Sequence, residues 1–125
     1  MESLQQLVKK IQSVLTPDLL NSYYRHTRPE DAHPVWGHCY VATEVLYHLW
    51  GKKAGFKPCY VRIGRGCIVL GNHWFLTNDA RTVYVDPTME QFNEPLPYDI
   101  GKRCGFLTRK PSKRARIVMR RIKQL

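Results

Sequence analysis

Asn72-His73-Trp74-Phe75-Leu76-Thr77-Asn78-Asp79-Ala80-Arg81-Thr82-Val83-Tyr84-Val85-Asp86-Pro87 reads as two short strands around a turn. His73 to Thr77 and Thr82 to Asp86 are rich in aromatic and β-branched side chains, which suit a pleated, half-buried surface. Asn78-Asp79-Ala80-Arg81 has the composition of a turn, because Asn and Asp side chains hydrogen-bond nearby backbone and tolerate tight geometry. The two strands are therefore predicted to pair antiparallel, which brings His73 toward Asp86 although they are thirteen positions apart.

Working outward, Pro58 to Gly64 and Cys67 to Leu70 have the same character and extend the prediction to a small antiparallel sheet. Gly64-Arg65-Gly66 is a hairpin turn rather than a phosphate loop, since no strand-loop-helix context or lysine accompanies it. Upstream, Leu4, Leu7, Val8, Ile11, Val14 and Leu15 recur at steps of three and four, the period of one helical face. Thr16-Pro17-Asp18 then predicts a second helix through Leu20 toward Tyr24, and Thr27 to Pro34, with two prolines, predicts a loop. A third helix is expected over Cys39 to Trp50, between Gly37 and a Gly51 C-cap, with Cys39 in its first turn. Pro111-Ser112-Lys113 opens a last helix, in which Ala115, Ile117, Val118, Met119 and Ile122 form a partial apolar stripe. The fold class expected is α+β: N-terminal helices packed on a small antiparallel sheet, followed by a basic C-terminal helix.

A chain of 125 residues, 43% apolar and 24% charged, suits one globular domain over 1–125. Its longest apolar runs fall far short of the roughly 20 residues that cross a bilayer, so no membrane partner is expected. Met1 to Gln6 lacks the basic and then apolar character of a secretory leader, which predicts a cytoplasmic protein, in the host cytoplasm if a phage encodes it. In that compartment Cys39, Cys59, Cys67 and Cys104 are expected to stay reduced. His33, His38 and Cys39 lie close together but lack a fourth ligand and zinc-site spacing, so neither metal nor cofactor is expected.

The formal charge of +10 is concentrated at one end. Lys102 to Leu125 holds ten Lys or Arg and no Asp or Glu, while the rest of the chain holds ten of each sign. Lys110, Lys113, Arg114, Arg116, Arg120 and Arg121 are candidates for sequence-independent contact with nucleic-acid phosphates. The same run equally suits the solvated face of a helix docked through Ile117, Val118 and Ile122.

A thiol is a weak nucleophile until it is a thiolate, and a helix N-terminus beside an imidazole is the setting that activates one. Cys39 opens a predicted helix, His73 is a base that can take its proton, and Asp86 can orient that base. In these roles Asp86→Asn should be milder than His73→Ala, because an asparagine oxygen still accepts from the ring.

Trp36-Gly37-His38-Cys39, then Asn72-His73-Trp74-Phe75-Leu76, then Val85-Asp86-Pro87-Thr88-Met89-Glu90-Gln91-Phe92 resemble the YunG-type branch of papain-like cysteine hydrolases, found in bacteria and their phages. The resemblance spans roughly Val35 to Phe92. It implies a helix packed on an antiparallel sheet with a Cys-His-Asp site between them. It also implies a thiol-dependent hydrolase (peptidase, amidase or deamidase) that works through an acyl-cysteine on a peptide or amide substrate. The related pattern often carries an oxyanion-stabilising glutamine before the cysteine; this chain has His38 there, which leaves His38 and Asn72 as oxyanion candidates. The alternative is a non-catalytic basic protein that contacts nucleic acid through its C-terminal segment.

Overall fold

Ser3 begins the first helix, α1 (Leu4–Ser13), through a reciprocal cap: its hydroxyl accepts from Gln6 N–H and its own N–H donates to the Gln6 side chain. The computed structural model describes residues 2–65, 68–92 and 94–125. The periodic face of α1 buries Leu7 and Ile11, and Val14 and Leu15 follow them into the core. Each such side chain contributes about 1.5–3 kcal/mol on leaving water.

The second helix does not form as one piece. Pro17–Leu19 is a single 3-10 turn, and α2 (Ser22–Thr27) starts afresh after Asn21, whose side chain accepts from Tyr24 N–H at 2.9 Å. Asn21 competes for the backbone as an N-cap, which interrupts a helix that Thr16 alone would have started. Thr16 makes no cap bond; it is engaged by Arg121 and Asp18.

The helix that Cys39 opens runs past its expected end. α3 (Cys39–Leu46) continues through a π-helical turn at Tyr47–Gly51 into α4 (Lys52–Ala54), and Gly55, at φ +82°, closes it. Gly51 is helical (φ −63°) and serves packing instead of capping: a Cβ there would lie 2.9 Å from Leu76 Cδ1. Gly55 takes the left-handed cap because it meets nothing within 4 Å and carries no Cβ penalty.

The sheet has four antiparallel strands, β1 (Phe56–Arg65), β2 (Ile68–Asn78), β3 (Tyr84–Val85) and β4 (Lys102–Arg103), in the order β3-β2-β1-β4. The runs expected separately after Gly66 and at His73 are one strand, with a register shift opposite Ile63 and Gly64 and with Gly71 at φ +151°. Gly66 and Cys67 lie outside the described residues. The expected hairpin turn forms, closed by Asn78 N–H to Val83 C=O, and pairs Leu76 with Val85 and Thr77 with Tyr84. Leu76 joins the α1, α3 and α5 side chains in the main core, while Phe75, Cys59 and Val61 form a second cluster under Tyr84 and Tyr98. The sheet therefore has both faces covered.

The basic C-terminal segment is built into this core. β4 pairs with β1, and α5 (Lys113–Lys123) buries Ala115 and Val118 against α3 and α1. Glu44 of α3, completely buried, accepts from Ser112 N–H (2.8 Å) and Ser112 Oγ–H (2.6 Å). Ser112 in turn caps α5 by accepting from Ala115 N–H, so a carboxylate sits at the positive end of that helix. Among the described residues no helix is long and apolar enough to cross a membrane.

Candidate active site

Cys39 is the first residue of α3, and the backbone before it is tightly set. Gly37 has φ +79°, which a side chain would strain, and a Cβ there would also come within 3.0 Å of Leu20. Cys39 is half-buried, and its sulfur lies 3.7 Å from the backbone carbonyl of Asn72, the residue preceding His73.

His73 and Asp86 meet as the hairpin requires. The register that sets Leu76 against Val85 leaves Asp86 diagonal to His73 on one face, and Nε2 of His73 is 2.5 Å from Oδ2 of Asp86, both side chains almost fully buried. Phe92 packs edge-on to the imidazole at 4.7 Å. Nδ1, the other ring nitrogen, is enclosed and has no hydrogen-bond partner. Burial presses the His73 pKa down, but the Asp86 bond, the Cys39 interaction and the charge of both overcome it and raise the pKa to about 9. The ring therefore holds its proton at neutral pH.

Asp86 is held by more than His73. Thr88 donates to Oδ1 from its N–H (3.0 Å) and from its hydroxyl (3.4 Å), and Tyr98 donates from its hydroxyl to Oδ2 at 2.8 Å. Burial first, and the Asp86 charge second, push the Tyr98 pKa up, so it remains a donor. Gln91 extends the network: it donates to Thr88 Oγ1 (3.0 Å) and accepts a long bond from Gly37 N–H (3.4 Å), tying the acid's loop to the turn before Cys39. Sequence reasoning missed Thr88, Gln91 and Tyr98 as site residues. The Asp-Pro-Thr spacing signals an Asx-type turn and so points to Thr88, whereas nothing near Tyr98 in the chain marks it.

The two oxyanion candidates part company. Asn72 is exposed and lines a groove of ≈ 670 Å³ beside Cys39 and His73. His38 is 2% exposed, does not line that groove, and feels Arg28, Asp18 and Arg114 instead. Burial, with Arg28 next, lowers its pKa to about 4, so it is a neutral side chain at neutral pH. Gln91 does line the groove. The walls are aromatic (Tyr23, Tyr24, Trp36, Tyr40, Trp74 and Phe92), and no Asp, Glu, Lys or Arg lines the groove among the described residues.

Lys110, Lys113, Arg114, Arg116 and Arg120 are exposed. Arg121 is turned inward: it donates to Val14 C=O (3.0 Å) and Thr16 Oγ1 (2.7 Å) and pairs with Asp18 (3.1 Å), fastening α5 to the end of α1. Among the described residues, no group of three His, Cys, Asp or Glu is placed to hold a metal ion. Comparison with family models, curated proteins and solved structures finds no match to this chain.

Proposed function

We propose that this protein is a papain-like, thiol-dependent hydrolase that cleaves an amide or ester through an acyl-Cys39 intermediate. The observation that carries this reading is the His73 ring, which Asp86 fixes through Nε2 while Nδ1 is left without a hydrogen-bond partner beside the groove that Cys39 also lines. In this reading the nucleophile is the thiolate form of Cys39, at the positive end of α3 and beside the protonated His73 ring. The thiolate adds to the substrate carbonyl, the C–N or C–O bond breaks, and His73 gives its proton to the leaving group. Water then loses a proton to the neutral ring as it attacks the thioester, which releases the acid and restores the pair. Asn72, Gln91 and the Cys39 N–H are the donors available to the developing oxyanion in the groove. Its uncharged aromatic walls favour an apolar or aromatic acyl or leaving group.

The test is acylation by p-nitrophenyl acetate. A burst of p-nitrophenolate with an acetyl group on Cys39, located by mass spectrometry, is expected from the parent, and its loss in Cys39→Ala and His73→Gln. Acylation elsewhere, or at an unchanged rate in His73→Gln, overturns the reading. A second reading, charge-based contact with nucleic acid, is favoured by the exposed Lys110, Lys113, Arg114, Arg116 and Arg120, which the docking of α5 leaves toward solvent.

A further inference from the structure

A second cleft of ≈ 530 Å³ shares no lining residue with the Cys39 groove. It opens where the π-helical turn, the start of β1 and the segment after β4 come together. Four of its lining residues are cations, Lys52, Lys57, Arg103 and Arg109, and none is Asp or Glu. Arg103 is anchored on the hairpin by bonds to the Asn78 and Asp79 carbonyls and by pairing with the Asp79 carboxylate. Lys52, Lys57 and Arg109 enter no ion pair among the described residues.

The floor is of a different kind. Tyr47 and Phe106 line it, their rings edge to face at 5.6 Å, and His48 stands beside them. Nε2 of His48 is enclosed and has no hydrogen-bond partner, and burial lowers the pKa of the ring, which favours a neutral imidazole able to give or accept one bond. A bare anion would meet the cations and leave the aromatic floor unused, whereas an uncharged apolar ligand would leave like charges facing one another across the mouth. A phosphate joined to a flat heterocycle satisfies both, with its charge on the Lys and Arg side chains and its ring on the aromatic floor. The volume is that of a small-ligand pocket.

We propose that this cleft binds a nucleotide unit, either free or within a single strand, at a site separate from the Cys39 groove and from the outer face of α5. The experiment titrates the full-length protein with AMP, adenosine, inorganic phosphate and a ten-residue oligothymidylate by calorimetry. AMP is expected to bind at least tenfold more tightly than phosphate or adenosine, and Lys57→Glu and Arg109→Glu, both exposed and so safe for folding, each to weaken it at least tenfold. A variant with Lys113, Arg114, Arg116 and Arg120 changed to Gln should keep AMP affinity within threefold. Oligothymidylate binding that is tighter than AMP and equally sensitive to Lys57→Glu assigns the unit to a single strand, and weaker binding assigns it to a free nucleotide. If AMP and the oligonucleotide both bind no better than phosphate, or if Lys57→Glu and Arg109→Glu leave binding unchanged, the proposal fails.

Discussion

Replacing His73 should convert Cys39 from a thiol reactive in mild acid into an ordinary one. Holding the His73 proton to a pKa of about 9 instead of 6.5 corresponds to about 3 kcal/mol of differential interaction, supplied by Asp86 and Cys39 together against the cost of burial. In the parent, the ring stays protonated as pH falls from 9 to 6, so the positive charge it offers Cys39 persists there. In His73→Ala the thiol reverts toward an ordinary value of about 8.5, which leaves about 0.3% thiolate at pH 6. The more basic thiolate is intrinsically the better nucleophile, which returns part of that loss, so a slowing of tenfold or more is expected. The assay is the rate of iodoacetamide modification at Cys39 from pH 5 to 10, resolved by peptide mass spectrometry. Cys104, exposed and far from His73 in the fold, reports in the same molecule whether the reagent and the fold behave alike in each variant. His73→Gln, with a urea melt, separates loss of the base from loss of structure. Equal Cys39 profiles in parent and both variants would refute the pairing.

Asp86→Asn, mild by sequence reasoning, should lose most of the same reactivity, because donors converge on both carboxylate oxygens and an asparagine offers only one acceptor. Modification at pH 6 within threefold of the parent would count against that. Once a substrate is in hand, amide turnover should fall as pH rises past about 9, where His73 loses the proton that the leaving group needs. A rate still rising there would assign the acid elsewhere. Tyr98→Phe removes one bond to a charged acceptor and should cost about 2 kcal/mol of stability in urea, with the His73–Asp86 bond retained. Ser112→Ala removes both the hydroxyl donor to Glu44 and the cap of α5, and should cost about 3 kcal/mol by the same melt; less than 1 kcal/mol would mean that the Ser112 hydroxyl adds little to the anchoring of α5. Duplex DNA affinity should fall steeply with salt and disappear in the Lys113, Arg114, Arg116 and Arg120 to Gln variant. Arg121→Gln should instead lower the melting point, since its guanidinium is spent on α1 and the turn after it.

The amino-acid sequence by itself determined whatever depends on neighbours in the chain. The three- and four-residue spacing of Leu4, Leu7 and Ile11 specifies α1, and Asn78 to Arg81 closes the hairpin that delivers His73 to Asp86. Period and turn chemistry act over a few residues, so they are legible without the rest of the molecule. Tertiary structure decided everything that turns on what lies opposite. Gly51 is the cap expected from sequence, but it stays helical where a Cβ would lie 2.9 Å from Leu76 of another element, and Gly55, at φ +82°, closes the helix. The apolar stripe in the basic run allows a docked helix without saying what holds it; Glu44, 68 positions from Ser112, and Arg121, reaching back to Val14, fasten it. His38 adjoins Cys39 in sequence yet turns into the protein, while Gln91 and Tyr98, remote in sequence, extend the network around Asp86 and the turn before Cys39. Burial is a property of the assembled core and presses down the pKa of both His38 and His73; what separates them is the partner, since His73 is bonded to a carboxylate that several donors fix in place and His38 is not.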